Sequence, residues 1–164
     1  MKAIAGIDPG LDGGICVLVD KTISILMPMP TNTITVGRKK KRELDLPAIC
    51  QAIDHVSAAI VEKVHSMPSQ GVASTFKFGT GYGMLLGILA AQGTPYTLVS
   101  PQTWKKVMLR DMPKGKGSSI LRAKQLCPDI KLLATERSRK PHDGMAEAYL
   151  LARYGILYQY NEEM

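Results

Sequence analysis

The chain has 164 residues, 21 lysines and arginines against 14 aspartates and glutamates, and a formal charge of +7. That length allows a substantial core, because a chain of about 150 residues buries roughly 70% of its unfolded surface. With 45% hydrophobic and 21% charged residues the composition excludes disorder. The longest apolar stretch, Met84–Ala91, contains Gly87 and falls far short of the roughly 20 residues of a membrane span. Cys16, Cys50 and Cys127 form no CxxC pair and are odd in number, against a cysteine-rich zinc site or a disulfide framework. Reduced, buried thiols are expected. The start, MKAIAGIDPG, reads as neither a signal peptide nor a transit sequence. The expectation is a cytoplasmic protein of a bacterium or a phage-infected cell, or a plastid protein whose transit peptide has been removed.

In chain order, Lys2–Ile7 is an apolar strand ending on the turn signal Asp8-Pro9-Gly10. Gly14–Asp20 and Thr22–Met27 predict two more strands, with a tight turn at Asp20-Lys21. The Pro-punctuated residues 27–33 lead into a basic loop. Ile49, Ile53, Val56 and Ile60, at spacings of four, three and four, predict a helix with Asp45 or Leu46 as cap and Pro47 in its first turn. Ala58–Val64 is strand-like, Gly79–Gln92 a glycine-punctuated helix and Pro95–Ser100 another strand. Residues 110–118 read as a loop, and helices follow at about Ser118–Leu126 and Asp143–Tyr154. Hairpin-connected strands followed by crossovers predict an α/β protein, a mixed five-stranded sheet flanked by helices, forming a single domain over residues 1–164.

Charge is distributed unevenly. Arg38, Lys39, Lys40, Lys41 and Arg42 carry five positive charges in a row. Residues 101–141 carry eleven basic residues, among them Lys105, Lys106, Lys114, Lys116, Arg122 and Lys124, against Asp111, Asp129 and Glu136. The remainder holds five basic and eleven acidic residues, so an acidic body bears two basic segments. Such segments suit a polyanion, since neutralised phosphates release counterions. No basic amphipathic helix points to a membrane.

Four acids stand where core residues or strand ends belong. Asp8 ends the first strand, Glu62 interrupts the apolar run AAIVEKV, and Asp143 and Glu147 share one face of the last helix. Taken singly, each has an ordinary reading: a turn, an ion pair, a helix cap. If they converge, their repulsion demands cations, and oxygen ligands favour hard ions such as Mg²⁺ or Mn²⁺. Two such ions can activate a water and stabilise the leaving oxygen of a phosphodiester.

Ile7-Asp8-Pro9-Gly10 with Gly13-Gly14, and Ile60-Val61-Glu62-Lys63-Val64, resemble motifs of RuvC-type Holliday junction resolvases. So do Ser100-Pro101-Gln102-Thr103-Trp104-Lys105-Lys106 and His142-Asp143-Gly144-Met145-Ala146-Glu147-Ala148. The basic loop from Val36 to Arg42, the run Phe78–Gly83 and the ending Ala146–Gly155 are similar to the plant chloroplast branch and phage resolvases like it. The resemblance implies an RNase H-like fold and a homodimer. It further implies two Mg²⁺ or Mn²⁺ ions per site and paired symmetric nicks in a four-way DNA junction, with no nucleotide cofactor and no membrane. It makes Asp8, Glu62, Asp143 and Glu147 the metal ligands. Lys105 would lie near the scissile strand, and Lys116, Arg122 and Lys124 in the DNA-binding stretch. Arg38–Arg42, Lys106 and Lys114 join them as expected DNA contacts. Asp143 and Glu147 are four apart, where bacterial RuvC proteins place these residues three apart, and His142 stands adjacent. Where the bacterial form has an aromatic after the strand glutamate this chain has His65, which leaves Phe76 or Phe78 as wedge or core residues. Gly79, Gly81 and Gly83 are expected at a helix start, and Met84, Leu85, Ile88 and Leu89 at a dimer interface, with burial against the sheet as the competing reading.

Three rivals are a junction-binding protein that never cuts, a nuclease of the same fold acting on other branched DNA or RNA–DNA hybrids, and an actin-like ATPase. The last rests on IDPGLDGG as a phosphate-binding turn, but needs two such domains.

Overall fold

A computed structural model describes residues 2–65, 71–115 and 117–160, of which 159 and 160 by backbone alone. Three strands, β1 (Ala3–Asp8), β2 (Gly14–Val19) and β3 (Thr22–Pro28), form an antiparallel meander. Asp20 and Lys21 join the last two with φ of 45° and 71°, the left-handed pair a two-residue hairpin turn of type I′ requires. The predicted basic loop is instead a second hairpin. Strands β4 (Thr31–Val36) and β5 (Lys39–Leu44) pair with each other as a separate two-stranded sheet. Gly37 opens its two-residue turn at φ 63°. Arg38 lies in the turn and Lys39–Arg42 on β5.

Helix α1 (Leu46–Ala52) begins as expected: Asp45 caps it, accepting from the Ala48 amide at 3.1 Å, and Pro47 sits in the first turn. It ends earlier than its apolar spacing predicts. His55 adopts φ 58°, the chain turns, and Ile60 belongs to β6 (Ala58–Glu62). Helix α2 (Val72–Ala91) starts well before Gly79, so Gly79, Gly81 and Gly83 lie inside it rather than at its start. The first two turns, VASTFKF, are rich in β-branched and aromatic residues of modest helix propensity, which is why the pattern concealed them. After β7 (Tyr96–Val99) comes α3 (Pro101–Met108), which the elements predicted from sequence omit, although Ser100 caps it and Pro101 occupies its first turn. Helix α4 (Ser118–Leu126) matches its expected bounds, and α5 (Asp143–Tyr160) runs beyond the expected Tyr154.

The main sheet has the order β3-β2-β1-β6-β7, with β6 and β7 parallel to β1. It is the predicted mixed five-stranded sheet flanked by helices. Alternation sorts the side chains into two cores. Ala5, Ile7, Ile15, Val17, Ala59 and Val61 pack against α1 and α2. Ile4, Cys16, Leu18, Ala58 and Ile60 pack against α3, α4 and α5 on the other face. Leu85 and Leu89 are wholly buried in the first core, so burial against the sheet, not a dimer interface, accounts for them.

Helix α5 lies so close to the sheet that side chains are excluded beneath it. A Cβ on Gly6 would meet the Ala148 carbonyl oxygen at 2.1 Å, and one on Gly144 the Asp12 carbonyl oxygen at 2.3 Å. This packing fixes which turns of α5 stand over the end of β1.

Candidate active site

Asp8 and Glu62 are the last residues of two adjacent parallel strands, whose register pairs Ile7 with Val61. Counting by twos from Ile4 and from Ala58 places both acids on the α5 side of the sheet. The seating of α5 on Gly6 brings Glu147 to the same end. Asp8, Asp143 and Glu147 line one open cleft with Asp12, Lys105, Lys114 and Ser119. Asp143 is exposed in the first turn of α5, one turn before Glu147.

The acids act on one another's ionisation. Burial, then the charges of Glu147 and Glu62, push the Asp8 carboxyl up to about 7, against the Gly10 amide and Lys105, which pull it down. Burial raises Glu62 too; the indole of Trp104 opposes this, donating from Nε1 to Glu62 Oε2 at 2.7 Å. Lys105 Nζ lies 2.8 Å from Glu147 Oε1. Burial works to lower the Lys105 ammonium, but Glu147, then Glu62 and Asp8, outweigh it and hold it above the ordinary lysine range. Ser119 Oγ donates to the same Glu147 oxygen at 3.1 Å.

Two contributors therefore escaped the sequence reading. Trp104 and Ser119 are buried, hydrogen-bond two of the four acids, and come from α3 and α4. The lone tryptophan beside Lys105 was the available signal for the first; nothing distinguishes Ser119 from Ser118. His142 takes a different role: its Nδ1 accepts from the Met145 amide at 3.2 Å, capping α5.

The expected cationic contacts are distributed over several elements, and of them Lys114 lines this cleft. Lys39, Lys40 and Lys41 are exposed on β5. Arg42 pairs with Asp12 at 2.5 Å, tying the hairpin to the turn beside the cleft, and Lys77 donates to the Arg42 carbonyl at 2.8 Å. Lys106 is exposed on the outer side of α3, Lys114 lines the cleft and Lys124 is exposed on α4. Arg122 spends its guanidinium on protein, donating to the carbonyls of Met108 and Arg110 and to Gln125. Lys116 lies outside the described residues. Phe76 is 76% exposed, whereas Phe78 is half-buried; both line an apolar groove with Pro9, Leu11 and Leu44.

The donor set is all oxygen, and burial, with the charges of Glu147 and Glu62, suppresses ionisation of Asp8. Among the described residues no three His, Cys, Asp or Glu side chains are gathered into a ready ligand cluster. Lys105 supplies the compensating charge instead. No helix among them is long and apolar enough to cross a membrane.

Three antiparallel strands, two parallel ones and helices on both faces, with acids at the ends of the central strands, make up an RNase H-like fold. No protein-family model matches the sequence, and no curated protein does. Among solved structures, that of Thermus thermophilus RuvC in complex with a Holliday junction substrate superposes with a TM-score of 0.63. The likeness covers 98% of this chain and 96% of that one at 14% identity. A second Thermus thermophilus RuvC structure gives a TM-score of 0.59 at 16% identity, covering 97% and 96%. The chain thus shares the RuvC fold over nearly its whole length.

Proposed function

We propose that this chain, as a single domain, is a metal-dependent endodeoxyribonuclease that resolves four-way DNA junctions by paired nicks, of the chloroplast and phage kind. The observation that carries this reading is the convergence of Asp8, Glu62 and Glu147 on one lysine at the strand ends of a RuvC fold. Asp8, Glu62, Asp143 and Glu147 would hold two Mg²⁺ or Mn²⁺ ions. Bound there, such ions supply a nucleophile at neutral pH and neutralise charge on the leaving oxygen.

The chain's own groups do the rest. Asp8, whose carboxyl is pushed up to about 7 by burial and by Glu147 and Glu62, would be ionised in a site that holds positive charge. Lys105, drawn to Glu147 in the free protein, turns its ammonium to the scissile phosphate. Lys39–Lys41 on the hairpin, with Arg38 in its turn, and Lys106, Lys114, Lys116 and Lys124 hold the arms. Phosphate contacts of that kind orient the duplex without reading sequence. Arg42 and Arg122 support the DNA-facing surface from their protein partners. Phe76 is the better placed wedge.

Symmetric nicking needs two active sites, hence a homodimer. The exposed apolar residues of α2, Val72 at 87%, Phe76 and Met84 at 47%, form its interface or flank the DNA.

The test is cleavage of a synthetic four-way junction in Mg²⁺, beside three-way, flap and hybrid substrates. Asp8→Asn retains junction binding and loses cleavage. Full activity in that variant, or preference for another substrate, overturns the reading, and binding without cleavage by wild type makes the chain a junction-binding protein.

A further inference from the structure

Trp104 is the chain's one tryptophan, and it is wholly buried beneath the acidic cleft. An indole has a single polar group, and burying it without a partner is costly. Its partner here is not a backbone carbonyl but Glu62 Oε2, at 2.7 Å. The same ring lies 5.1 Å from the Lys105 ammonium, which is itself paired with Glu147. One rigid side chain on α3 therefore touches a group at the end of β6 and, through its neighbour, a group on α5.

We propose that Trp104 is a positioning residue: its indole N–H fixes the Glu62 carboxylate at one oxygen and leaves the other for a divalent cation. A glutamate at a strand end has three side-chain torsions, and a loose ligand loses affinity for its ion. Anchoring one oxygen from a buried, immobile donor removes that freedom before the ion arrives. Ser119 does for Glu147 what Trp104 does for Glu62, so the anchored acids are the two long ones. The inference rests on the metal-dependent reading above.

Trp104→Phe deletes the N–H and keeps an apolar ring for core packing and for Lys105. Because there is one indole, ¹⁵N-labelled protein gives one indole cross-peak, which reads the Glu62 hydrogen bond without any turnover. In the wild type this peak should exchange slowly with solvent, move in Glu62→Gln and move again on titration with Mg²⁺. Trp104→Phe should bind a junction as wild type does but cut it about tenfold more slowly at low Mg²⁺, with most of the loss recovered at high Mg²⁺. Mn²⁺ affinity measured by calorimetry should fall at least severalfold.

A merely structural role predicts the reverse pattern: a lower melting temperature, equal loss at every Mg²⁺ concentration and unchanged Mn²⁺ affinity. That result overturns the proposal, as does an indole peak indifferent to Glu62→Gln and to Mg²⁺. If the wild type cuts no branched DNA while the peak still responds to both, the resolvase reading fails and the positioning of Glu62 stands.

Discussion

Asp8→Asn should stabilise the metal-free protein, and more so the higher the pH. Burial and the charges of Glu147 and Glu62 push the folded carboxyl up to about 7, against 3.8 for the ordinary, unfolded aspartate. Between these values the native state binds more protons than the unfolded chain, so stability present at low pH is lost as pH rises. Above 7 the loss is complete and amounts to about 4 kcal/mol, whereas at pH 5 it is less than half of that. Asparagine has no charge to lose. Whatever constant offset the amide introduces, the gap between variant and wild type should therefore widen by about 2–3 kcal/mol from pH 5 to pH 8.

For a chain of this size the widening corresponds to roughly 5–10 °C in melting temperature. Thermal melts of both proteins in a chelator, at several pH values between 5 and 8, measure it directly. Saturating Mg²⁺ should then narrow the gap at pH 8, because an ion that binds the ionised native site stabilises the wild type by mass action. A gap that stays constant with pH refutes the electrostatic account of Asp8. A gap that Mg²⁺ leaves untouched refutes the site as a cation site.

Lys105→Met removes the charge facing three acids and should cost the metal-free protein about 1–2 kcal/mol after solvent screening, recovered by Mg²⁺ in thermal melts. It should also abolish most junction cleavage. Replacing Lys39, Lys40 and Lys41 by alanine should lower junction affinity and flatten its salt dependence by about 0.9 for each phosphate no longer neutralised, read by fluorescence anisotropy over a salt series. Gly6→Ala drives a methyl into the backbone of α5 and should leave little folded protein by circular dichroism. Gly79→Ala meets open space in the interior of α2 and should raise stability by about 0.5–1 kcal/mol.

The sheet was legible because its strands carry continuous apolar runs bounded by turn residues: Asp8-Pro9-Gly10 and Asp20-Lys21 stop β1 and β2 where the sequence says. The hairpin was not, since β5 reads KKKREL and buries almost nothing. Strand propensity measures fit to a half-buried surface, and this ribbon has none. Helix α3 was hidden for another reason: Ser100 reads as the last residue of the strand Pro95–Ser100, masking a cap signal that was present. All four acids were visible as misplaced charges. Their mutual distance was not, because it depends on α5 lying against Gly6 and Gly14, a close approach no periodicity reports.

The same packing explains why the cleft tolerates so much like charge. Moving α5 away from β1 would relieve Asp8 of Glu147, but it would open the interface through which Ala146, Ala148, Leu150, Leu151 and Ala152 are buried. Burying a leucine contributes about 2 kcal/mol and an alanine methyl under about 1 kcal/mol, so the two leucines and three alanines together outweigh the strain on a single carboxyl. The core thus holds the acids together against their repulsion and leaves the deficit of positive charge unrelieved at the mouth of the cleft. Lys105 answers part of it, from a side chain with enough reach to leave. A cation entering this site would therefore meet groups that are already in place and still in want of charge.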